Sequence, residues 1–133
     1  MDLPSSGMVA LTRNALTTLR AVLFRDAGGN AAAYLQEAGY AGGGALFQAF
    51  GGWCAERGYS APEEMPAETF QQLAAAFFGE LGWGSVSVAM LHDSVVTIDS
   101  PDWAESDPES AMQFPGCYLS SGMLADFFGR LAG

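Results

Sequence analysis

The sequence predicts an α+β fold with a helix-rich N-terminal half, an antiparallel β-hairpin or small sheet, a long acidic loop and a buried C-terminal helix. Apolar residues recur at helical spacing as far as Gly82, and after Gly84 they alternate with small or polar residues. A length of 133 residues is typical of one domain, so we assign residues 1–133 to a single domain.

The first helix is expected to begin near Ser5 or Ser6, either of which can cap a helix, and to end at Gly28 and Gly29. Its apolar positions keep roughly helical spacing: Met8, Leu11, Leu16, Leu19, Val22 and Leu23.

Asn30 can cap a second helical stretch, which contains the segment "GYAGGGA". Three consecutive glycines, residues 42–44, weaken an isolated helix by about 1 kcal/mol each relative to alanine. They therefore mark either a break or an unusually close packing site. We favour helix on both sides, with close contact across the glycines.

The third helix has the clearest signals. Pro66 stands near its N-terminus, Glu68 lies in the first turn and Gly82 closes it. One apolar stripe follows its length: Phe70, Leu73, Phe77 and Leu81.

A β-hairpin is expected next, from "SVSVAML" (85–91) and "SVVTI" (94–98), with His92 and Asp93 in its turn. The stretch that follows is a long loop, expected to be solvated surface. Its acidic residues are Asp99, Asp102, Glu105, Asp107 and Glu109.

The closing helix begins after Pro115 and Gly116 and is apolar nearly all round, as expected of a buried helix. Asp126 and Arg130, four residues apart, are expected to mark its one solvent-exposed (wet) face. Its small residues recur at four-residue spacing and form a ridge that lets another element approach closely: Ser121, Ala125 and Gly129.

The charge balance excludes several classes of partner. Fifteen acidic residues stand against five arginines, giving a formal net charge of −10. Such a field repels phosphate backbones and anionic lipids, so we expect no nucleic-acid or membrane partner. No uninterrupted apolar run reaches the length of a membrane span, and residues 1–20 lack a signal-peptide pattern. The expected location is the cytoplasm.

Candidate catalytic and metal-binding residues are few. His92 is the only histidine, and its place in the predicted turn is typical of a surface residue. Cys54 and Cys117 lie far apart among apolar neighbours, which favours reduced core thiols over a disulfide. This set forms no zinc pattern. We predict no catalytic residues, no metal, no cofactor and no enzymatic activity.

Aromatic side chains on the helical segments are the most distinctive feature. Such stripes form the core in most proteins, and in a small chain they can also line an apolar pocket. The set comprises Phe47, Phe50, Trp53, Phe70, Phe77, Phe78, Trp83, Tyr118, Phe127 and Phe128.

The element order, with "GWG" before the hairpin and "GCYLSSGMLADFFGRL" at the end, resembles the 4-vinyl reductase domain family. That family shares its fold with one class of subunits of the TRAPP vesicle-tethering complex. The resemblance covers roughly residues 10–132 and depends on element order and on the pattern of Cys117, Gly122 and Leu124.

The resemblance implies a non-catalytic binding module for a hydrophobic small molecule, as in bacterial sensory proteins. It places Cys117, Tyr118 and Met123 on the ligand side. Together with the aromatic set, the candidate ligand-binding residues are Phe47, Phe50, Trp53, Phe77, Trp83, Cys117, Tyr118, Met123 and Phe127.

Two other functions remain open. A TRAPP-like subunit would form a homodimer or bind a partner protein, and an accessory protein would assist tetrapyrrole 4-vinyl reduction. No dinucleotide fingerprint supports the latter. The family usually continues into two further strands beyond the last helix, so we expect a C-terminal truncation or completion of the sheet by another chain.

Overall fold

The computed structural model describes residues 3, 5–92, 95–100, 102–105 and 117–132. The elements are α1 (Arg13–Ala27), α2 (Ala31–Glu56), α3 (Ala67–Glu80), β1 (Ser87–His92), β2 (Val95–Asp99) and α4 (Tyr118–Gly129). Short 3₁₀ turns occupy Gly28–Asn30, Pro62–Glu64 and Arg130–Ala132. In the described residues, a mostly helical structure with one small antiparallel sheet confirms the α+β class.

The start of α1 differs from the prediction. The helix begins after Thr12, whose side-chain oxygen accepts a hydrogen bond from the backbone N–H of Ala15 at 3.1 Å. Placing the start near Ser5 or Ser6 was wrong because the apolar residues that suggested it are not part of a buried helical face. Leu11, just before the cap, is 63% exposed.

The helix α2 runs without a break through its three consecutive glycines. The close packing expected there is confirmed at Gly43, where an added Cβ would lie 2.5 Å from the Cβ of Asp126. Although α2 has 26 residues, neither it nor another helix in the described part of the chain is long and apolar enough to cross a bilayer.

The third helix and the hairpin follow the sequence pattern closely. A positive φ of 90° at Gly82 ends the turn after α3. β1 and β2 pair antiparallel from Ser87 opposite Asp99 to His92 opposite Val95, with an irregularity between Met90 and His92. His92 therefore ends β1 rather than standing in the turn, and Asp93 lies outside the described residues.

The chain forms two compact units. The first unit comprises Met1–Ala49 and Glu105–Gly133, and the second comprises Phe50–Ala104. The first unit therefore contains all of α1 and α4 and the larger part of α2. The second contains the end of α2, α3 and the sheet, where β1 packs against α3.

Candidate functional site

A buried carboxylate holds the start of α4. Glu105 Oε2 accepts a hydrogen bond from the backbone N–H of Leu119, and Oε1 accepts one from that of Ser120, each at 2.8 Å. Glu105 is only 1% exposed. The residue at the N-cap position, Cys117, makes no capping hydrogen bond with its own side chain. Glu105 thus satisfies two of the N–H groups that a helix start leaves open, where negative charge is also favoured.

Arg20 of α1 is the charge partner of this carboxylate. Its Nη1 donates to the backbone carbonyl of Glu105, and its Nε lies 3.5 Å from Glu105 Oε2. Both side chains are almost completely buried, and a buried charge is tolerated only when it is paired. We call Arg20, Glu105 and the N–H groups of Leu119 and Ser120 the Arg20–Glu105 centre.

The expectation of a solvated acidic loop is wrong for Glu105, because the loop delivers this carboxylate into the interior. Asp102 is exposed and accepts a hydrogen bond from the backbone N–H of Ser85 at 2.8 Å. Asp107 and Glu109 lie outside the described residues.

A half-buried thiol and two aromatic rings lie beside the centre. Cys117 is a free cysteine, and burial, followed by the charge of Glu105, raises the pKa of its thiol, while Arg20 lowers it. The ring of Tyr118 lies 5.9 Å from that of Phe24 on α1, and both are half-buried. Apolar surface and polar groups therefore meet at this end of α4.

Further along α4, the predicted ligand residues are buried. Met123 is 8% exposed and Phe127 is fully buried. The ring of Phe127 meets the half-buried ring of Phe47 on α2 edge to face, with centroids 5.4 Å apart. Five of the nine predicted residues therefore lie in the first unit: Phe47, Cys117, Tyr118, Met123 and Phe127.

The other four predicted residues belong to the second unit. Phe50, Trp53 and Phe77 contact one another, with centroid separations of 5.1 to 6.1 Å, and Phe50 and Phe77 have no exposed surface. Trp83 is half-buried and stacks on Trp103 at 5.2 Å. Ligand binding by these residues stays a prediction, but the contacts of Phe50 and Phe77 are those of a core.

A charged group borders this aromatic core. Glu80 Oε2 accepts hydrogen bonds from Trp53 Nε1 at 2.7 Å and from Arg57 Nη2 at 3.1 Å. The guanidinium of Arg57 lies 3.9 Å from the centroid of the Trp53 ring. Since Arg57 and Glu80 are partly exposed, their ion pair contributes little, and we interpret the group as structural.

The predicted wet face of α4 needs correction. Asp126 is only 8% exposed because it faces Gly43 of α2, and its Oδ2 accepts a hydrogen bond from Arg130 Nε at 2.9 Å. Arg130 alone of this pair is largely exposed.

The small-residue ridge is not the packing face. Ser121, Ala125 and Gly129 are exposed, and a Cβ on Gly129 would meet nothing within 4 Å among the described residues. The close approach is made instead by Gly39 and Gly122, which face the backbones of α4 and α2 respectively. Thus α4 is buried on one side only.

Sequence reasoning missed Arg20 and Glu105. One signal was available, because Arg20 stands four residues after the buried Leu16 and so falls on the apolar face of α1. A buried arginine in that position requires acceptors in the interior, for which a carboxylate is well suited. Nothing local distinguishes Glu105 from the other acidic residues of its loop.

Comparisons with known proteins identify no relative. No family model, no curated protein and no solved structure matches this chain. Within the ranges that the structure describes, no group of three or more His, Cys, Asp or Glu side chains is arranged to hold a metal ion.

Proposed function

We propose that this chain is a non-catalytic binding module for a hydrophobic small molecule, of the sensory type found in 4-vinyl reductase domains. One observation carries the proposal. The half-buried rings of Phe24 and Tyr118 meet beside Cys117, at the end of α4 where the Arg20–Glu105 centre lies. Small-molecule sites combine mostly apolar lining with a few fixed polar groups, and this end of α4 has that composition.

The partial exposure of Tyr118 and Phe47 favours the first unit as the binding side. Phe50 and Phe77 have no exposed surface, and each lies against other rings of the second unit. Tyr118 and Phe47 keep partial exposure while packing against a neighbouring ring. Rings with partial exposure can gain contacts with an added apolar molecule, whereas fully enclosed rings gain none without rearrangement.

The test uses Nile red, an uncharged probe, because a net charge of −10 repels anionic dyes. We expect saturable binding to the intact chain, measured by probe fluorescence. Tyr118→Ala should weaken binding by roughly 10- to 100-fold, since burying a large apolar side chain is worth about 1.5–3 kcal/mol.

Tyr40→Ala is the matched control, because Tyr40 lies in the same unit and is 59% exposed. Binding of the probe that does not saturate, or an equal loss of affinity in both variants, would contradict the proposal.

A second candidate function is a protein-interaction subunit that pairs with a second copy of the chain. The exposed ridge of Ser121, Ala125 and Gly129 on α4 favours it. Gly129→Leu tests it, because a Cβ added at this exposed position meets nothing within 4 Å in the described part of the chain. We expect a dimer of the parent chain and a monomer of the variant in sedimentation velocity, with unchanged thermal unfolding. A monomeric parent at all concentrations contradicts this candidate.

A further inference from the structure

Few local sequence signals specify the start of α4. Cys117 at its N-cap position makes no capping hydrogen bond, and the first turn contains no acidic residue. Gly122 and Gly129 lie within its twelve residues, and glycine is a poor helix former. A helix of this length is marginal on its own in water. The stability of α4 therefore depends on contacts with residues outside the helix.

Glu105 supplies the decisive contact at the N-terminal end. Both of its carboxylate oxygens accept hydrogen bonds from α4, one from Leu119 and one from Ser120. No residue of the first turn can replace this carboxylate, since that turn has no acidic side chain. Loss of the Glu105 charge would leave the N–H groups of Leu119 and Ser120 without their ionised acceptor, which weakens each bond.

The same carboxylate ties α4 to α1. Arg20 lies 3.5 Å from Glu105 Oε2, and the two side chains are 2% and 0% exposed. If the Glu105 charge is lost, the buried guanidinium of Arg20 loses the carboxylate 3.5 Å from its Nε.

We propose that Glu105 acts as a latch: its carboxylate holds the N-terminal turn of α4 against α1, and its release opens this turn locally. Opening exposes Cys117 and the rings of Phe24 and Tyr118, while the second unit stays folded. The use of the latch, to control access for a hydrophobic ligand, rests on the proposed function.

The two cysteines of the chain report separately on local and global opening. Cys117 is half-buried beside the latch, whereas Cys54 is fully buried in the second unit. A thiol reagent that modifies Cys117 but not Cys54 therefore detects opening of the latch alone. Modification of both cysteines at the same rate detects general unfolding.

The experiment compares Glu105→Gln with the intact chain and with Glu37→Gln, which removes the same charge from an exposed position in the first unit. Two measurements are made on each protein. The first is the rate of thiol modification by 5,5′-dithiobis(2-nitrobenzoate), with the modified cysteine identified by peptide mass spectrometry. The second is hydrogen–deuterium exchange of peptides from α4 and α3.

We expect Glu105→Gln to raise the modification rate of Cys117 at least tenfold and to leave Cys54 protected. Removing the negative charge of Glu105 also favours the Cys117 thiolate, which alone raises the modification rate. Hydrogen–deuterium exchange therefore decides whether the turn has opened. Exchange in the first turn of α4 should accelerate at least tenfold, with α3 unchanged and with Glu37→Gln equal to the intact chain. Glu105→Asp, which keeps the charge on a shorter side chain, should give an intermediate rate.

Unchanged exchange in α4, or loss of protection at Cys54 and α3 together with α4, overturns the latch. These outcomes are independent of Nile red binding. Local opening without any probe binding would support the latch and contradict the proposed function. Probe binding with unchanged exchange in Glu105→Gln would support the proposed function and contradict the latch.

Discussion

The close approach of α2 and α4 gives the sharpest test of the packing. A Cβ added at Gly39 would lie 2.8 Å from the backbone nitrogen of Met123 and 2.9 Å from the carbonyl carbon of Leu119, with the carbonyl oxygen of Leu119 closer still. Gly42 lies three residues later in the same helix, and among the described residues nothing lies within 4 Å of such an atom there. Substituting alanine at each position therefore changes helix propensity equally and packing differently.

The magnitudes follow from two opposing effects. Alanine in place of glycine inside a helix stabilises by about 1 kcal/mol. At Gly42 this gain stands alone, so Gly42→Ala should be about 1 kcal/mol more stable than the parent chain. At Gly39 the neighbouring atoms are backbone and must move out to about 3.5 Å, the ordinary contact distance. Overpacking of this kind costs about 1–3 kcal/mol, and a backbone neighbour places it at the upper end. We expect Gly39→Ala to be about 2 kcal/mol less stable than the parent.

The measurement is urea unfolding followed by circular dichroism, with thermal unfolding as a second readout. The two variants should differ by about 3 kcal/mol, which corresponds to roughly 10 °C in Tm for a chain of this size. Equal stability of Gly39→Ala and Gly42→Ala would refute the close crossing of α2 and α4. An increase in stability in both variants would refute the close crossing as well.

Three further outcomes are expected. Thr12→Ala should lower the unfolding free energy by about 1 kcal/mol, since the cap to Ala15 N–H is lost, and Thr12→Ser should restore it in the same urea titration. Trp53→Phe removes the 2.7 Å hydrogen bond to Glu80 and should cost about 1–2 kcal/mol in urea unfolding, so unchanged stability would contradict that bond. Burial raises the pKa of the Cys54 thiol above its ordinary value of 9.0, so the unfolded chain loses this proton first as pH rises. The unfolding free energy should therefore fall above about pH 9. Urea titrations from pH 7 to 10 should show a shallower fall in Cys54→Ala, and identical slopes would count against a buried thiol.

Local patterns predicted the elements whose signals lie within a few residues. The apolar spacing of Phe70 and Phe77 identified α3, and Gly28 marked the end of α1. The alternation of residues after Gly84 identified the hairpin. In each case the physical cause is local, because helix and strand periodicities and the freedom of glycine act over one or two turns of chain.

The start of α1 could not be chosen by such patterns. Ser5, Ser6 and Thr12 all carry a hydroxyl suited to an N-cap. Thr12 is the cap that is used, since the chain is first buried at Leu16, four residues after it, whereas Leu11 before it is 63% exposed. A choice between similar caps therefore follows tertiary burial, which local patterns do not show.

The candidate site was likewise only half accessible to sequence reasoning. The aromatic residues and Cys117 are candidates that the sequence composition shows directly, but their division between two units is not visible there. Glu105 was assigned to solvent because it stands among other acidic residues. Its burial follows from its partner Arg20 and from the unsatisfied N–H groups of α4, neither of which is near it in sequence.

The helix α4 is also less buried than its apolar sequence predicts. A helix that is apolar all round is expected to be buried all round, yet α4 exposes Ser121 and Ala125. Its buried side approaches α2 through Gly39 and Gly122, and its buried apolar side chains, Met123 and Phe127, lie beyond the first turn. In the first turn Tyr118 and Leu119 are only half-buried, so this turn depends more on its polar contacts than the rest of the helix does. This dependence explains why one buried carboxylate, Glu105, can determine whether the helix stays closed, and it makes the exchange rate of the first turn the most informative measurement on this molecule.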